Sequence, residues 1–416
     1  MTMQTEVTGS NPIRSVLLST GALLLVVAVV VSPKDAFDAS IQGLDIWWKI
    51  IFPAMLPFLM LSQMLTAFGF TDALGVLLGP LMQRWFRLPG DAGLALAVGM
   101  CGGFPAGADT AQRLVRDQQI TGKQAIILVA AAHFTNPMMI ILVIGAAFLH
   151  QPAAGYFLLI IHWLSGWIAA MIAIRLNRRR QKQTTTASPP KRSPQHGLWF
   201  QMMNAAREAQ ARDGRGFGKL LGDTVSHAVQ TLMMTGGYII GFAVFIRLLG
   251  LYITPGSSAA LWPSVLEVHL GTYHLSQTSW APILTISLIA AVLGWGGLCS
   301  HLQVSAVMKS AGLAAKSMIY FAAVRLLHAL IAFSLSVFLW IPFSRYSAEV
   351  WAPFWPSASA DETTLLPMQS QLEGNTAAAE ILWSSFPAVC IGLAIILAIM
   401  ISLSGLTHWF NRRFSR

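Results

Sequence analysis

The sequence predicts an all-α, polytopic integral membrane protein, and its composition and the length of its apolar stretches are the observations that predict it. Of 416 residues, 55% are hydrophobic and 11% are charged, and the mean hydropathy is +0.60. Soluble proteins carry about 25% charged residues, and a helix needs about 20 apolar residues to cross a bilayer. Five stretches lack Asp, Glu, Lys and Arg over at least that length: 50–71, 124–174, 224–246, 268–308 and 381–411. Residues 124–174 are long enough for two helices, and residues 15–31 and 317–340 are further apolar segments. We therefore expect seven or more spans.

The two ends of the chain each carry an apolar segment. Residues 15–31 have only Arg14 as a basic flank and no small-residue cleavage site before Pro33, so we expect a retained N-terminal transmembrane anchor over residues 1–35. Residues 342–380 are mildly acidic and predict a polar loop. Residues 381–416 predict a C-terminal transmembrane helix with a basic tail.

The excess positive charge lies in one segment of the chain. The net charge is +10, yet residues 175–219 alone contain eleven Lys and Arg against two acidic residues. Clusters of Lys and Arg beside hydrophobic spans mark the cytoplasmic side of a membrane protein. We therefore predict a basic cytoplasmic linker over residues 176–218 and a lipid bilayer partner, and no nucleic-acid function.

Between these segments, residues 45–175 and 219–341 share an order of elements that predicts two membrane repeats. Gly102-Gly103-Phe104 and Gly296-Gly297-Leu298 stand 194 positions apart, and each pair ends a short apolar stretch. A polar segment, a lysine and a full span with a polar residue inside it then follow in both halves. In the first half that span is interrupted at Asn136-Pro137.

Helix breaks at matching positions of two halves indicate a transporter's binding site. Each backbone N–H or C=O left unpaired in lipid costs several kcal/mol, so a broken helix has to line a polar chamber enclosed by protein. The positive ends of half-helices favour an anionic solute there. The alternative is that the glycines only allow close helix packing, as small residues do in many membrane proteins.

A few polar side chains inside the apolar spans are candidates for binding, and each also has a structural interpretation. Arg325 is expected to face the bundle interior, because a guanidinium in lipid is costly; it either pairs with a backbone carbonyl or an acid, or contacts an anionic solute. His328 shares its helix face at i+3, as Asn136 does with His133. Asp109 is expected to cap the helix that begins near Thr110.

No catalytic or cofactor-binding pattern is found in the sequence. It has no Gly-rich phosphate loop of the P-loop type, no HExxH and no Gly-x-Ser-x-Gly. Its three cysteines, Cys101, Cys299 and Cys390, are odd in number and lack metal-ligand spacing. We predict that the protein is not an enzyme and has no cofactor, no metal site and no disulfide framework, so any transport is not driven by hydrolysis within this chain.

The interruptions and their surroundings resemble a known family. Gly103-Phe104-Pro105-Ala106-Gly107-Ala108, the polar stretch to Lys123, and Asn136-Pro137 resemble the gate, or nucleoside-recognition, domain shared by concentrative nucleoside transporters and related proteins. Together with Gly296-Gly297-Leu298, Gln303 and Arg325-Leu326-Leu327-His328, they are most similar to the sporulation integral membrane branch of that family. This resemblance implies two gate-like repeats and the passage of dipicolinate, an aromatic dicarboxylate, across the outer forespore membrane.

These arguments predict a multi-pass cell-membrane transporter for a small, anionic solute, with dipicolinate as the candidate that the resemblance supplies. A nucleoside or other small neutral solute remains an alternative, as does a non-transporting scaffold that recruits partners through the basic linker. The sequence leaves open the oligomeric state and whether the repeats are inverted or parallel. The predicted substrate-binding residues are Gly102, Gly103, Phe104, Pro105, Gly107, Asn136, Gly296, Gly297, Ser300, His301, Gln303, Arg325 and His328.

Overall fold

A computed structural model of the protein describes residues 12–180, 197–254, 261–310 and 316–351. Within these ranges the chain is helical and contains no strand, which confirms the predicted all-α class. Three π-helical segments, Trp47–Ile51, Met82–Phe86 and Met139–Phe148, lie among the α-helices. The α-helices are α1 Pro12–Val31, α2 Pro33–Ile46, α3 Phe52–Ala67, α4 Phe70–Leu81, α5 Ala92–Gly102, α6 Ala106–Arg116, α7 Gly122–Ala131, α8 Pro152–Arg180, α9 Leu198–Asp213, α10 Phe217–Tyr252, α11 Leu261–Leu266, α12 Val268–Ser276, α13 Pro282–Trp295, α14 Gly297–Ser310 and α15 Lys316–Trp351.

Long apolar helices give the fold its membrane character. Five stretches of the described chain are long and apolar enough to cross a bilayer: Pro33–Ala67, Pro152–Leu176, Phe217–Tyr252, Pro282–Lys309 and Ser317–Arg345. Shorter apolar helices make up much of the remainder, among them α5 and α7. The count is below the seven spans expected because the predicted span after Lys123 is two short helices, and because the predicted C-terminal span lies outside the described residues.

The second helical stretch begins earlier than the sequence predicted, at Pro33 rather than Ile50. The charges of residues 34–49 suggested a boundary, but they lie outside the buried face of α2, and Asp35 at its edge forms an ion pair with Arg247 of α10 at 2.6 Å. The buried face of α2 packs against α10, with Gly43 near Ala243. The π-helical segment then lets Trp47 O accept from Phe52 N just before Pro53, which has no N–H to donate.

The first predicted break is the turn of a helical hairpin. Helix α5 ends at Gly102 and α6 begins at Ala106. A Cβ built on Gly107 would lie 3.1 Å from Gly99 Cα, whereas eight residues of continuous helix would separate them by about 12 Å. The chain therefore turns back on itself, and Ala132 of the next element packs against both arms of the hairpin.

The helix after the hairpin is interrupted, as Asn136-Pro137 predicted. Helix α7 ends at Ala131, residues 133–136 are non-helical, and the π-helical segment Met139–Phe148 completes the path before α8. Its counterpart in the second half, α15, is continuous from Lys316 to Trp351. The two halves therefore differ at this point, although both contain a Gly-Gly break before it.

A third glycine pair, Gly236-Gly237, does not break its helix. Helix α10 runs through Gly236-Gly237 without interruption. A Cβ on Gly236 would lie 2.5 Å from Trp47 Cε2, and Trp47 Nε1 donates to Leu232 O at 2.9 Å. Here the glycine admits an indole ring against the helix backbone, which is the packing role that the sequence left as an alternative.

The predicted linker and loop are partly helical, which corrects two boundaries. Residues 198–213 of the linker form α9, which packs its backbone at Ala206 against the turn at Gly69 and pairs Arg212 with Asp72 at 2.9 Å. The predicted loop 342–380 begins later, since α15 continues through Pro342 to Trp351. Proline is tolerated inside transmembrane helices where the freed carbonyl finds another partner. The remainder of that loop, residues 381–416, Cys390 and linker residues 181–196 lie outside the described residues.

Candidate functional site

The first break is held open by the side chain of Asn136. Its Nδ2 donates to Gly102 O at 3.3 Å and to Cys101 O at 3.5 Å, and its Oδ1 accepts from Met138 N at 2.8 Å. The amide thus satisfies carbonyls at the end of α5 and an N–H at the start of the following helix. Asn136 is therefore part of the scaffold of the break as well as a predicted site residue.

The close approach of Asn136 to Gly103 constrains the backbone of the first break. Gly103 has φ of 81°, and a Cβ there would lie 2.8 Å from Asn136 N. Phe104 N donates to Phe134 O at 2.8 Å, and the peptide bond from Phe104 to Pro105 is cis. Gly107 is enclosed by backbone, with Ala132 O at 2.6 Å from its virtual Cβ. Gly103 and Gly107 thus act through close packing of backbone, whereas Phe104 presents its ring to the interior.

The second break faces the first. Gly296 and Gly297 have φ of 85° and 77°, a left-handed conformation that turns the chain between α13 and α14. A Cβ on Gly296 would lie 3.2 Å from Nε2 of His133, which belongs to the interruption after α7. The ring of Phe104, which follows the first glycine pair, stacks on the same imidazole. The two breaks, distant in sequence, therefore approach each other at His133, and α14 also packs against α6.

Arg325 connects the interruption after α7 to the end of α13, just before the second break. Its side chain is 1% exposed, Nη1 donates to His133 O at 2.8 Å, and Nη2 donates to Leu293 O at 3.3 Å. One carbonyl lies just past the end of α7 and the other in the last turn of α13, where helix dipoles place partial negative charge. In the described part of the chain no carboxylate pairs with this guanidinium.

Four buried histidines surround this arginine, and each has one unpaired ring nitrogen. They are His133, His162, His301 and His328, and the unpaired atoms are Nε2, Nδ1, Nε2 and Nδ1 in that order. His301 Nδ1 donates to Gly297 O at 2.8 Å, and His328 Nε2 donates to His162 O at 2.9 Å. His162 Nε2 accepts from Thr135 N at 3.0 Å, so the neutral ring carries its hydrogen on Nδ1.

Aromatic rings line the same cluster. Phe104 stacks on His133 with ring centroids 4.8 Å apart and planes inclined by 14°. Phe321 presents its edge to both His133 and His301, at 5.0 Å from each. Trp295 lies 4.3 Å from His301. The cluster therefore combines flat apolar surfaces with polar atoms that have no protein partner, a combination typical of small-molecule sites.

The predicted polar residues of α14 do not all reach this cluster. Ser300 Oγ donates to Gly297 O at 3.0 Å and so satisfies the second break. Gln303 lies one turn after Cys299 on α14, and its Nε2 donates to Cys299 Sγ at 3.4 Å. The structure thus brings together Gly296, His301, Arg325 and His328 with Phe104, whereas Gln303 points to a neighbouring group.

Two buried polar residues were not predicted from the sequence. His162, in the middle of α8, lies within the stretch 124–174, which has no Asp, Glu, Lys or Arg to mark a site. Glu267 is 2% exposed and starts α12 beside Gly297. The signal for Glu267 was present, because it is the only acidic residue between Asp223 and Glu349, and an isolated acid among spans is a functional candidate.

Comparison with known proteins agrees with this architecture. The Gate family, described as nucleoside recognition, matches residues 48–152. The sporulation integral membrane protein YlbJ of Bacillus subtilis (strain 168) is 32% identical over 355 residues, which cover 80% of this chain and 84% of that protein. The chain belongs to the YlbJ family. This membership confirms the resemblance drawn from the glycine motifs, and it identifies a multi-pass integral membrane protein.

The Gate match and the YlbJ alignment relate differently to the candidate site. The Gate match contains the first break and the interruption at Asn136 but ends before α8. Arg325, His328 and Gly296 therefore lie beyond the part that the Gate domain describes. No solved structure matches the chain.

Proposed function

We propose that this protein is a secondary transporter for a small aromatic dicarboxylate, with dipicolinate as the solute, and that the solute binds between the two helix breaks. The observation that carries the proposal is the guanidinium of Arg325, buried between both breaks with no carboxylate partner among the described residues. The proposal extends to the outer forespore membrane as the location, which the sporulation context of the YlbJ relative supports.

The charge of Arg325 is the first argument for an anion. Burying an ion without a counter-charge costs several kcal/mol even after the protein relaxes, and carbonyl groups compensate this cost only in part. Arg325 Nε also lacks an acceptor. A carboxylate that enters the cluster would supply both the missing charge and the missing acceptor, and it would form the strong, charge-assisted type of hydrogen bond.

The surroundings of Arg325 favour a flat molecule with a second carboxylate. His162 Nδ1–H is another buried donor without an acceptor, and it belongs to α8 rather than α15. The rings of Phe104, Phe321 and Trp295 offer surfaces on which an aromatic solute can stack. Dipicolinate is planar, aromatic and carries a carboxylate on either side of its ring nitrogen, so it can use both donors and one ring face together.

Energy for such transport would come from a gradient, since the sequence has no nucleotide-binding motif. The residues of the cluster contact one another and are almost fully buried. A solute therefore reaches them when one break moves away from the other, as expected for alternating access around a site at a repeat interface. No chemical step on the solute is part of this proposal.

Transport into proteoliposomes of the purified full chain tests the proposal. We expect uptake of labelled dipicolinate by the wild type, and a loss of about 10- to 100-fold in Arg325→Gln, because about 1.5–3 kcal/mol is expected for hydrogen bonds to a charged group. Arg345→Gln, an exposed arginine on the same helix, is the matched control and should retain the wild-type rate. Uptake of uridine alone, with Arg325→Gln unimpaired, would contradict the anion proposal.

Folding has to be separated from binding in this experiment, because Arg325 also satisfies two carbonyls. Arg325→Lys keeps the charge and one donor, so it should fold and should transport better than Arg325→Gln. Size-exclusion profiles and thermal unfolding in detergent identify any variant that fails to fold. If Arg325→Gln folds well and takes up dipicolinate at the wild-type rate, Arg325 does not bind the solute and the proposal is wrong.

A neutral nucleoside is the second candidate, and two observations favour it. The Gate family that matches residues 48–152 is described as nucleoside recognition. In the neutral rings, His301 Nε2 and His328 Nδ1 are acceptors without donors, and the hydroxyl groups of a ribose can donate to them. The uridine arm of the same uptake experiment decides between the two solutes.

A further inference from the structure

A carboxylate–imidazole pair lies beside the second break, outside the arginine cluster. Glu267 Oε1 is 2.7 Å from His269 Nδ1, and Glu267 Oε2 accepts from Leu270 N at 2.8 Å. The glutamate side chain is 3% exposed and the histidine side chain is 14% exposed. The carboxylate is thus enclosed, while the imidazole to which it bonds still reaches the protein surface.

The pair is the principal charged group of its neighbourhood. The elements that pack around α12 are α10, α11, α13, α14 and the π-helical segment Met139–Phe148. Neither α11, α13 nor that segment contains a titratable side chain. The titratable groups of α12 and of its two remaining neighbours are His269, Tyr273 and His274 on α12, Lys219, Asp223, His227, Tyr238, Arg247 and Tyr252 on α10, and Cys299, His301 and Lys309 on α14.

Several of the titratable groups on the neighbouring helices already have partners. Arg247 pairs with Asp35 and Tyr252 bonds to Ser32. Cys299 interacts electrostatically with the Glu267 carboxylate and accepts from Gln303. No Lys or Arg pairs with Glu267 in the described ranges, where His269 is the side chain that bonds to its carboxylate.

The start of α12, where Glu267 lies, contacts the backbone that turns at the second break. Trp295 Nε1 donates to Val265 O at 2.8 Å, two residues before Glu267. A Cβ on Gly297 would lie 3.0 Å from Val268 N and 3.2 Å from Glu267 Cα. Any change in the hydrogen bonds of Glu267 therefore acts on residues in direct contact with the Gly296-Gly297 turn, and Gly296 in turn lies against His133.

We propose that Glu267 and His269 form a proton-binding site that couples proton movement to movement of the second helix break; this inference rests on the proposed transport function. One proton from water enters through the partly exposed His269, converts the pair from carboxylate and neutral imidazole to a form with one more positive charge, and leaves to water on the opposite side. No bond other than N–H or O–H forms or breaks. A metal cation fits less well, because both carboxylate oxygens already face N–H donors.

Infrared difference spectroscopy tests the proton site without any solute. The purified full chain is compared in mildly alkaline and mildly acidic buffer, and the imidazolium ring bands and the carboxylate stretching bands are followed. We expect the wild type and Glu208→Gln, an exposed control on α9, to show an imidazolium band in acidic buffer together with a change in a carboxylate band. His269→Gln should lose that imidazolium band, and Glu267→Gln should lose the change in the carboxylate band. If Glu267→Gln leaves the spectrum unchanged, the proposal is wrong.

Proteoliposomes with imposed gradients test the coupling. A proton gradient should drive accumulation of dipicolinate by the wild type and by Glu208→Gln, whereas a sodium gradient should not. Glu267→Gln keeps the shape of the side chain but removes its negative charge, and its amide can accept from Leu270 N and donate to Nδ1 of a neutral His269. It should retain exchange of dipicolinate across the membrane but lose accumulation driven by the proton gradient.

The outcomes of the two experiments separate this inference from the proposed function. Gradient-driven accumulation by Glu267→Gln at the wild-type level, or accumulation driven by sodium alone, overturns the coupling role and leaves dipicolinate transport intact. A wild-type protein that moves no dipicolinate overturns the proposed function, and the infrared measurement then still decides whether the Glu267–His269 pair binds a proton.

Discussion

Asn136 shows how one side chain can stabilise an interrupted helix inside a membrane. Its amide bonds to two carbonyls of the first break and to one N–H of the next helix. Water is not at hand to replace such partners within the hydrocarbon region, so the loss of the amide leaves these groups unpaired. The residue is therefore expected to matter for stability whether or not it touches a solute.

We predict that Asn136→Ala lowers the free energy of unfolding by about 1–3 kcal/mol, the cost of leaving buried polar groups without partners. Unfolding of the purified protein in detergent, followed by circular dichroism, measures the change. Gln210→Ala replaces an exposed amide on α9 and is the control, which should stay within about 0.5 kcal/mol of the wild type. An Asn136→Ala protein as stable as this control would show that the break does not depend on the amide.

At the level of elements, α2, the π-helical segment after it and α3 pack against α10. The indole ring of Trp47 contacts α10 at Gly236, and Gly43 of α2 packs near Ala243. On the opposite face of α10, Gly241 has no atom within 4 Å of its virtual Cβ. One helix therefore offers two glycines in the same conformation, of which only one is in a packed interface.

This pair of glycines yields a matched prediction. Gly236→Ala should lower the free energy of unfolding by about 1–3 kcal/mol, because the new methyl group has to displace the Trp47 ring. Gly241→Ala should leave stability unchanged or raise it by up to about 1 kcal/mol, since alanine is the better helix former. Thermal unfolding of both variants in the same detergent decides, and equal effects would mean that the ring does not pack as described.

The glycine pairs also show what could and could not be predicted from the sequence. The pairs at 102–103 and 296–297 ended short apolar stretches, so the missing length predicted the breaks. The pair at 236–237 has the same letters within a full-length span, and only the position of Trp47, distant in sequence, determines that the helix continues. In the same way, the burial of Glu267 and His162 depends on contacts between elements, which no local pattern contains.

The molecule as a whole is arranged so that the second half completes the first. The first half has an interrupted helix after its glycine break, and the second half has the continuous helix α15 at the corresponding place. Arg325, on that continuous helix, donates to a carbonyl of the interruption. If both halves had the same interruption, each would leave a carbonyl like His133 O without a donor. The continuous helix of the second half instead supplies the donor for the interruption of the first half.

The helical hairpin makes a prediction about topology. Because α5 and α6 fold back on each other, Asp91 before α5 and Asp117 after α6 should face the same side of the membrane. Single cysteines at these exposed positions, in a chain with its three native cysteines replaced, should react with a membrane-impermeant maleimide from one side only. Labelling of the two positions from opposite sides would show that α5 and α6 cross the bilayer together.

The position of Arg325 has a consequence for leakage through the bilayer. Its two hydrogen bonds reach one carbonyl beside each break, so the halves cannot separate without depriving a buried cation of an acceptor. An empty protein would then be held shut by its own arginine. An arriving carboxylate could take the place of a lost carbonyl, and the passage would open only for cargo able to make that exchange, which keeps ions from crossing when there is nothing to carry.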